Sequence, residues 1–84
     1  MTTPITPTIY VKTGCPWCEE VIAYFDEHKM PYQKIVVSGN PPLMLEMIEL
    51  SRQSKAPTMN WDGDVIANFG VAELIPFLKE HDAI

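Results

Sequence analysis

Apolar and polar positions along the chain recur at two spacings, and each switch between them marks the border of a predicted element. Thr8-Ile9-Tyr10-Val11-Lys12 is apolar and β-branched, as expected of a buried strand. The spacing then lengthens: Cys18, Val21, Ile22 and Phe25 fall on one helical face, and helical spacing continues from Glu19 to Lys29 until Met30-Pro31 ends it. Tyr32 to Val37 predicts a second strand closing in three aliphatics, and a strand–helix–strand sequence of this kind predicts parallel pairing. Ser38-Gly39-Asn40-Pro41-Pro42 is a loop whose prolines open a second helix at Leu43, apolar at Leu43, Met44, Met47, Ile48 and Leu50. The methionines in it are expected to fill gaps in the core. Asp62-Gly63 stands between two strand-like runs, Thr58 to Trp61 and Asp64 to Asn68, and signals a hairpin. Val71, Leu74, Ile75 and Leu78 close the chain with a third amphipathic helix. Pro76 interrupts that helix, which is therefore expected to begin effectively near Ala72, with Pro76 in or just beyond its first turn. The order is β-α-β-α-β-β-α, an α/β domain without internal repeats.

Composition narrows the class. Eighty-four residues, 46% apolar and 20% charged, make one small globular domain. Residues 1–7, with Pro4 and Pro7 in a Thr-rich stretch, are expected to form a flexible arm without function, and residues 8–84 the domain. A formal net charge of −5 supplies no basic stripe for phosphates, so neither nucleic acid nor an anionic membrane is an expected partner. No stretch has signal-peptide character or membrane-spanning length, which makes the reducing cytoplasm the expected compartment.

In such a compartment a cysteine pair is normally reduced and either catalytic or metal-bound. The chain has two cysteines, in Cys15-Pro16-Trp17-Cys18, at the predicted strand-to-helix junction. A disulfide across so short a loop constrains the unfolded chain little, so the pair reads as chemical rather than structural. Unpaired N–H groups at the helix start favour the Cys15 thiolate, and Lys12 adds a nearby cation. Cys18, one turn inside and expected to be half-buried, is placed to resolve a mixed disulfide formed on Cys15. A zinc site would need further ligands, and the soft candidates, His28 and His81, lie on different predicted helices, so no metal is expected. Trp17, between the cysteines, is expected to be an exposed platform for substrate.

The chain resembles the glutaredoxin family of the thioredoxin-like fold over nearly its whole length. Tyr10-Val11-Lys12-Thr13-Gly14-Cys15-Pro16-Trp17-Cys18 is similar to the family's strand, lysine and Cys-Pro-aromatic-Cys signature, and Ser51 to Pro57 to its Thr-Gly-x-x-Thr-Val-Pro segment. The resemblance implies a four-stranded mixed sheet flanked by three helices, with Cys15 as nucleophile and Cys18 as resolving thiol. It implies that Pro57 is cis and faces the cysteines, a point that Ala56-Pro57 alone leaves open between cis and trans. It further implies that Lys12, Trp17, Ala56, Pro57, Gly70 and Val71 meet the substrate or glutathione, which would be a co-substrate rather than a tightly bound cofactor. Disulfide-containing proteins would be the targets, and a monomer is expected.

Three departures set the chain apart. The family's Gly-Gly-x-[Asp/Ser/Thr]-Asp is here Ala67-Asn68-Phe69-Gly70-Val71, without the acceptor for the glutathione ammonium. Lys55 replaces a threonine, and Glu19-Glu20 stand where basic residues are common. The loss of the acid, together with Phe69, is shared with the glutaredoxin-like redoxins that serve ribonucleotide reductase and are reduced by thioredoxin reductase. Glutathione and a flavoprotein reductase thus remain alternative electron donors. A binding module that uses the cysteines as a redox-sensitive docking surface is the alternative from a different class.

Overall fold

The computed structural model describes residues 5–84, in the order β1 (Thr8–Val11), α1 (Pro16–Glu27), β2 (Gln33–Val36), α2 (Pro41–Ser51), β3 (Thr58–Trp61), β4 (Asp64–Ala67) and α3 (Val71–Glu80). The strands form one mixed sheet, β2-β1-β3-β4, in which β1 runs parallel to β2 and antiparallel to β3. The fold is the expected thioredoxin-like one: four strands and three helices.

β1 is central, and its alternation divides the core. Ile9 and Val11 face a cluster with Cys18, Val21 and Phe25 of α1 and Leu74 and Leu78 of α3. Tyr10 points the other way, into a smaller cluster with Val37 and Met47. A strand covered on both faces is apolar at successive positions, which is why β1 carries a continuous run. Tyr10 also donates to Glu46 Oε2 at 3.2 Å, tying α2 to the sheet. Of the α2 methionines, Met47 is fully buried and Met44 is half-buried against the same cluster; Met59 of β3 is fully buried as well.

Of the arm expected over residues 1–7, residues 1–4 lie outside the described residues. Pro7 is buried, and its carbonyl accepts from Gln33 N at 2.8 Å, so the chain meets β2 one residue before β1 begins.

Element ends depart from the pattern-based expectation for local reasons. α1 stops at Glu27, not Lys29, because Lys29 takes a left-handed φ of 53° and Met30 N reaches back to Phe25 O, closing the last turn. α2 starts at Pro41 rather than Leu43: Asn40 caps it through Oδ1, and prolines at its first two positions lack N–H groups that would find no helical partner there anyway. The hairpin turn has positive φ at both Asp62 (49°) and Gly63 (99°), the backbone an Asp-Gly pair favours.

α3 starts one residue before the expected Ala72. The helix begins at Val71 and carries Pro76 in its interior, six positions in. Pro76 has no N–H to offer the Ala72 carbonyl, but both residues are exposed, so water reaches that carbonyl. Leu74 and Leu78, on the opposite side, keep their burial.

Candidate active site

The site is assembled where β1 hands over to α1. Gly14 turns the chain with a φ of 75°, and Cys15 becomes the N-cap of α1 in extended backbone (φ −97°, ψ 107°). Its Sγ accepts from Cys18 N at 3.1 Å, in the manner of a capping oxygen, while its carbonyl accepts from Glu19 N at 3.0 Å. Pro16 occupies the first helical position, where a missing N–H leaves no bond unmade. Cys15 is therefore held by backbone geometry with its sulfur at the positive end of a twelve-residue helix.

Both cysteines are thiols, and they differ in exposure. Cys15 is half-buried, whereas Cys18 is 2% exposed and lies among the core residues of α1, more deeply buried than expected. Burial pushes the Cys18 thiol up to about 12; the hydrogen bond with Cys15 adds to this, and Lys12 pulls the other way. Cys18 is thus a protonated thiol at neutral pH. A desolvated thiol behind a surface sulfur attacks only once that sulfur has become part of a disulfide beside it.

The remaining predicted residues converge from three directions. The Ala56–Pro57 bond is cis, Pro57 is fully buried, and the Ala56 carbonyl lies 4.0 Å from Cys15 Sγ. Trp17 is 48% exposed, and its indole lies beside Gly70: a Cβ placed on Gly70 would come within 3.9 Å of both Trp17 Cδ2 and Glu73 Oε1. The Gly70 N–H donates to Glu73 Oε1 at 3.1 Å, so a carboxylate caps α3 beside the tryptophan. Val71 is half-buried and its side chain packs on the core. Lys12 Nζ donates to Ser54 O at 2.6 Å, across to the loop before Ala56. That loop is held by Gln53, and neither Gln53 nor Glu73 stood out in the sequence as a site residue. Glu73 had a usable signal, an acid three residues after a helix-opening glycine; Gln53 had none.

A cavity of about 390 Å³ lies between α1 and β2, bounded by Gly14, Cys18, Ile22 and Val36 with Lys12 and Glu19 at its rim. Among the described residues, no group of three or more His, Cys, Asp or Glu side chains could hold a metal ion, and no helix is long and apolar enough to cross a membrane.

A helix capped by one thiol with a second buried a turn behind it, and the carbonyl before a cis-proline close to the first, is an arrangement suited to a dithiol site. The glutaredoxin family profile matches residues 8–66, and the chain belongs to the glutaredoxin family. It is 33% identical over 72 residues to an uncharacterized glutaredoxin-like 8.6 kDa protein in the rubredoxin operon of Clostridium pasteurianum, an alignment covering 86% of this chain and 96% of that one. A glutaredoxin of Archaeoglobus fulgidus superposes with a TM-score of 0.76 at 10% identity, over 89% of this chain and 87% of the other. A buckwheat glutaredoxin solved as a glutathione complex superposes with a TM-score of 0.66 at 23% identity, over 95% and 82%.

Proposed function

We propose that the protein is a thiol–disulfide oxidoreductase that reduces protein disulfides, glutathione mixed disulfides or both through Cys15 and Cys18. The observation that carries this reading is the unequal pair: Cys15 Sγ caps α1 at the surface, while Cys18 is buried and protonated one turn behind. The Cys15 thiolate attacks one sulfur of a substrate disulfide, forming a Cys15 mixed disulfide and expelling the other sulfur as a thiolate. Cys18 then gives up its proton and attacks Cys15 Sγ; the proton ends on the departing substrate sulfur, and a Cys15–Cys18 disulfide remains. Two electrons have passed to the substrate, and two thiol equivalents from the donor restore the pair. Half-buried Ala56, whose carbonyl lies 4.0 Å from Cys15 Sγ, and exposed Trp17 would line the path of the substrate, with buried Gly70 behind the tryptophan.

Glutathione as co-substrate is supported by the family and by the buckwheat complex, whereas the absence of an acceptor side chain at Gly70 and Val71 favours a flavoprotein reductase. NADPH consumption with glutathione plus glutathione reductase, set against thioredoxin reductase, separates the two donors. In this reading the protein works as a monomer in the reducing cytoplasm. Wild-type disulfide reduction retained by Cys15→Ser would exclude this reading, whereas negligible turnover with both donors and a partner affinity that changes on oxidation would favour the docking-module alternative.

A further inference from the structure

The Ala56 carbonyl stands 4.0 Å from the attacking sulfur, yet nothing regular holds it there. α2 ends at Ser51, Arg52 leaves it in a left-handed turn (φ 62°), and β3 begins only at Thr58. Among the described residues, 53–56 make no backbone-to-backbone hydrogen bond. Side chains hold the segment instead. Gln53 Nε2, with two hydrogens to donate, lies within hydrogen-bonding distance of three acceptors, Lys55 O (3.0 Å), Ser51 Oγ (3.1 Å) and Thr58 Oγ1 (3.2 Å), and Gln53 Oε1 accepts from Lys55 N at 2.7 Å. Thr58, fully buried at the start of β3, donates its hydroxyl to the same Lys55 carbonyl at 3.0 Å. Lys12 Nζ grips Ser54 O from the β1 side.

We propose that Gln53 is a positioning residue of the disulfide-exchange site: its amide replaces the missing ladder for residues 53–56 and, with Thr58, fixes the Ala56 backbone opposite Cys15. The proposal rests on the oxidoreductase reading above and names what sets the geometry of its substrate side. In-line attack on a disulfide requires the target sulfur to be presented within a fraction of an ångström, and the Ala56 backbone is the wall against which it is presented. Lys12, which the sequence pointed to as a substrate contact, serves here as a second strut for the same loop. Gln53 acts through Ala56 and has no contact with either sulfur.

The test separates thiol chemistry from substrate presentation, using pre-reduced full-length protein in stoichiometric single turnover so that no reductase is needed. Two rates are measured: alkylation of Cys15 by iodoacetamide, and reduction of a disulfide-bonded peptide. Gln53→Met is expected to slow peptide reduction by roughly ten- to a hundredfold while leaving alkylation within about twofold. Thr58→Val, which keeps shape and β propensity, should show the same split at smaller size, and it carries the test if Gln53→Met fails to fold. Hydrogen exchange at the Lys55 amide should accelerate in Gln53→Met without change at the β3 amides. Peptide reduction unchanged in the variants, or lost in step with alkylation, overturns the positioning role. Wild-type protein that alkylates normally but never reduces the peptide sinks the exchange reading itself, and the positioning role with it.

Discussion

α1 and α3 lie on the same face of the sheet and share a plan, and their differences separate the reactive part of the site from its frame. Each begins at the site, and each ends in a histidine stacked on the aromatic residue four positions earlier: His28 on Tyr24 (4.0 Å, 23°) and His81 on Phe77 (4.1 Å, 20°). In both, the histidine Nδ1 lies within hydrogen-bonding distance of that residue's carbonyl, 2.9 Å and 2.8 Å. The N-termini diverge. α1 is capped by a sulfur that can leave its cap and form a covalent bond, α3 by the fixed carboxylate of Glu73. One positive helix end is thus kept for an exchangeable sulfur, while the other already holds a permanent carboxylate, beside Trp17, where an anionic substrate group would otherwise be welcome.

The largest effect belongs to the exchangeable cap. Cys15→Ser keeps a capping atom at the N-terminus of α1 yet removes the nucleophile, so disulfide reduction should fall by at least about a thousandfold with little loss of stability. Retained activity would break the distinction between the two helix starts. Cys18→Ser should act differently: the first attack survives, and a Cys15 mixed disulfide accumulates that mass spectrometry of the intact protein detects. In the wild type the raised Cys18 value also has a sign. Stability from the protonated, buried thiol is fully present below the ordinary thiol value of 9.0 and is lost as pH rises toward about 12. Cys18→Ala should flatten that decline in alkaline denaturation curves; Tyr10 and Tyr32, also raised, keep a slope of the same sign.

What the sequence revealed follows the same division. Periodicity and turn chemistry made all seven elements legible, because α1 and α3 each bury a face whose spacing is strict and β1, covered on both faces, is a continuous apolar run. Helix ends were less legible. Pro76 reads as a breaker, but which side of α3 meets water is a tertiary fact, and water is what makes the interior proline tolerable. The cysteine pair announced itself by spacing and position. The cis state of Ala56–Pro57 came through family resemblance, since the dipeptide alone is compatible with either isomer. Gln53 was invisible because its partners, backbone carbonyls and a buried threonine, meet only when the loop folds over itself. The contact of Trp17 with Gly70 joins residues whose proximity only the packing of α3 on α1 creates.

The fixed cap gives a smaller, sharper effect. Glu73→Gln keeps an acceptor for Gly70 N–H but removes the charge. Stability should fall by no more than about 1 kcal/mol, the usual worth of an exposed charge at a helix N-terminus. The rate ratio for anionic over cationic small disulfides, dithiodipropionate over cystamine, should rise by about four- to sevenfold, since loss of a unit charge acting through water over about 7–10 Å changes each rate by about two- to threefold in opposite directions. An unchanged ratio would mean that the α3 cap has no voice in substrate choice.

At the far ends of the same helices the expected effect is smallest and depends on pH. His81 Nε2 lies 2.8 Å from Asp64 Oδ2 at the start of β4; among the described residues no comparable carboxylate meets His28. The hydrogen bond to Asp64 raises His81 above its ordinary 6.5, and the contact with the Phe77 carbonyl adds to the shift. A raised histidine contributes stability that is fully present below 6.5 and is lost as pH climbs through the folded-state value. His81→Gln should therefore lower the melting temperature at pH 5.5 by roughly a few degrees at most, and by less at pH 8.5, since the pair is solvent-exposed. Asp64→Asn should remove the same pH dependence, and the double variant should lose no more than either single one. If His81→Gln costs as much at pH 8.5 as at pH 5.5, the stacking on Phe77, which α1 shares through Tyr24, rather than the ion pair that α1 lacks, secures the end of α3.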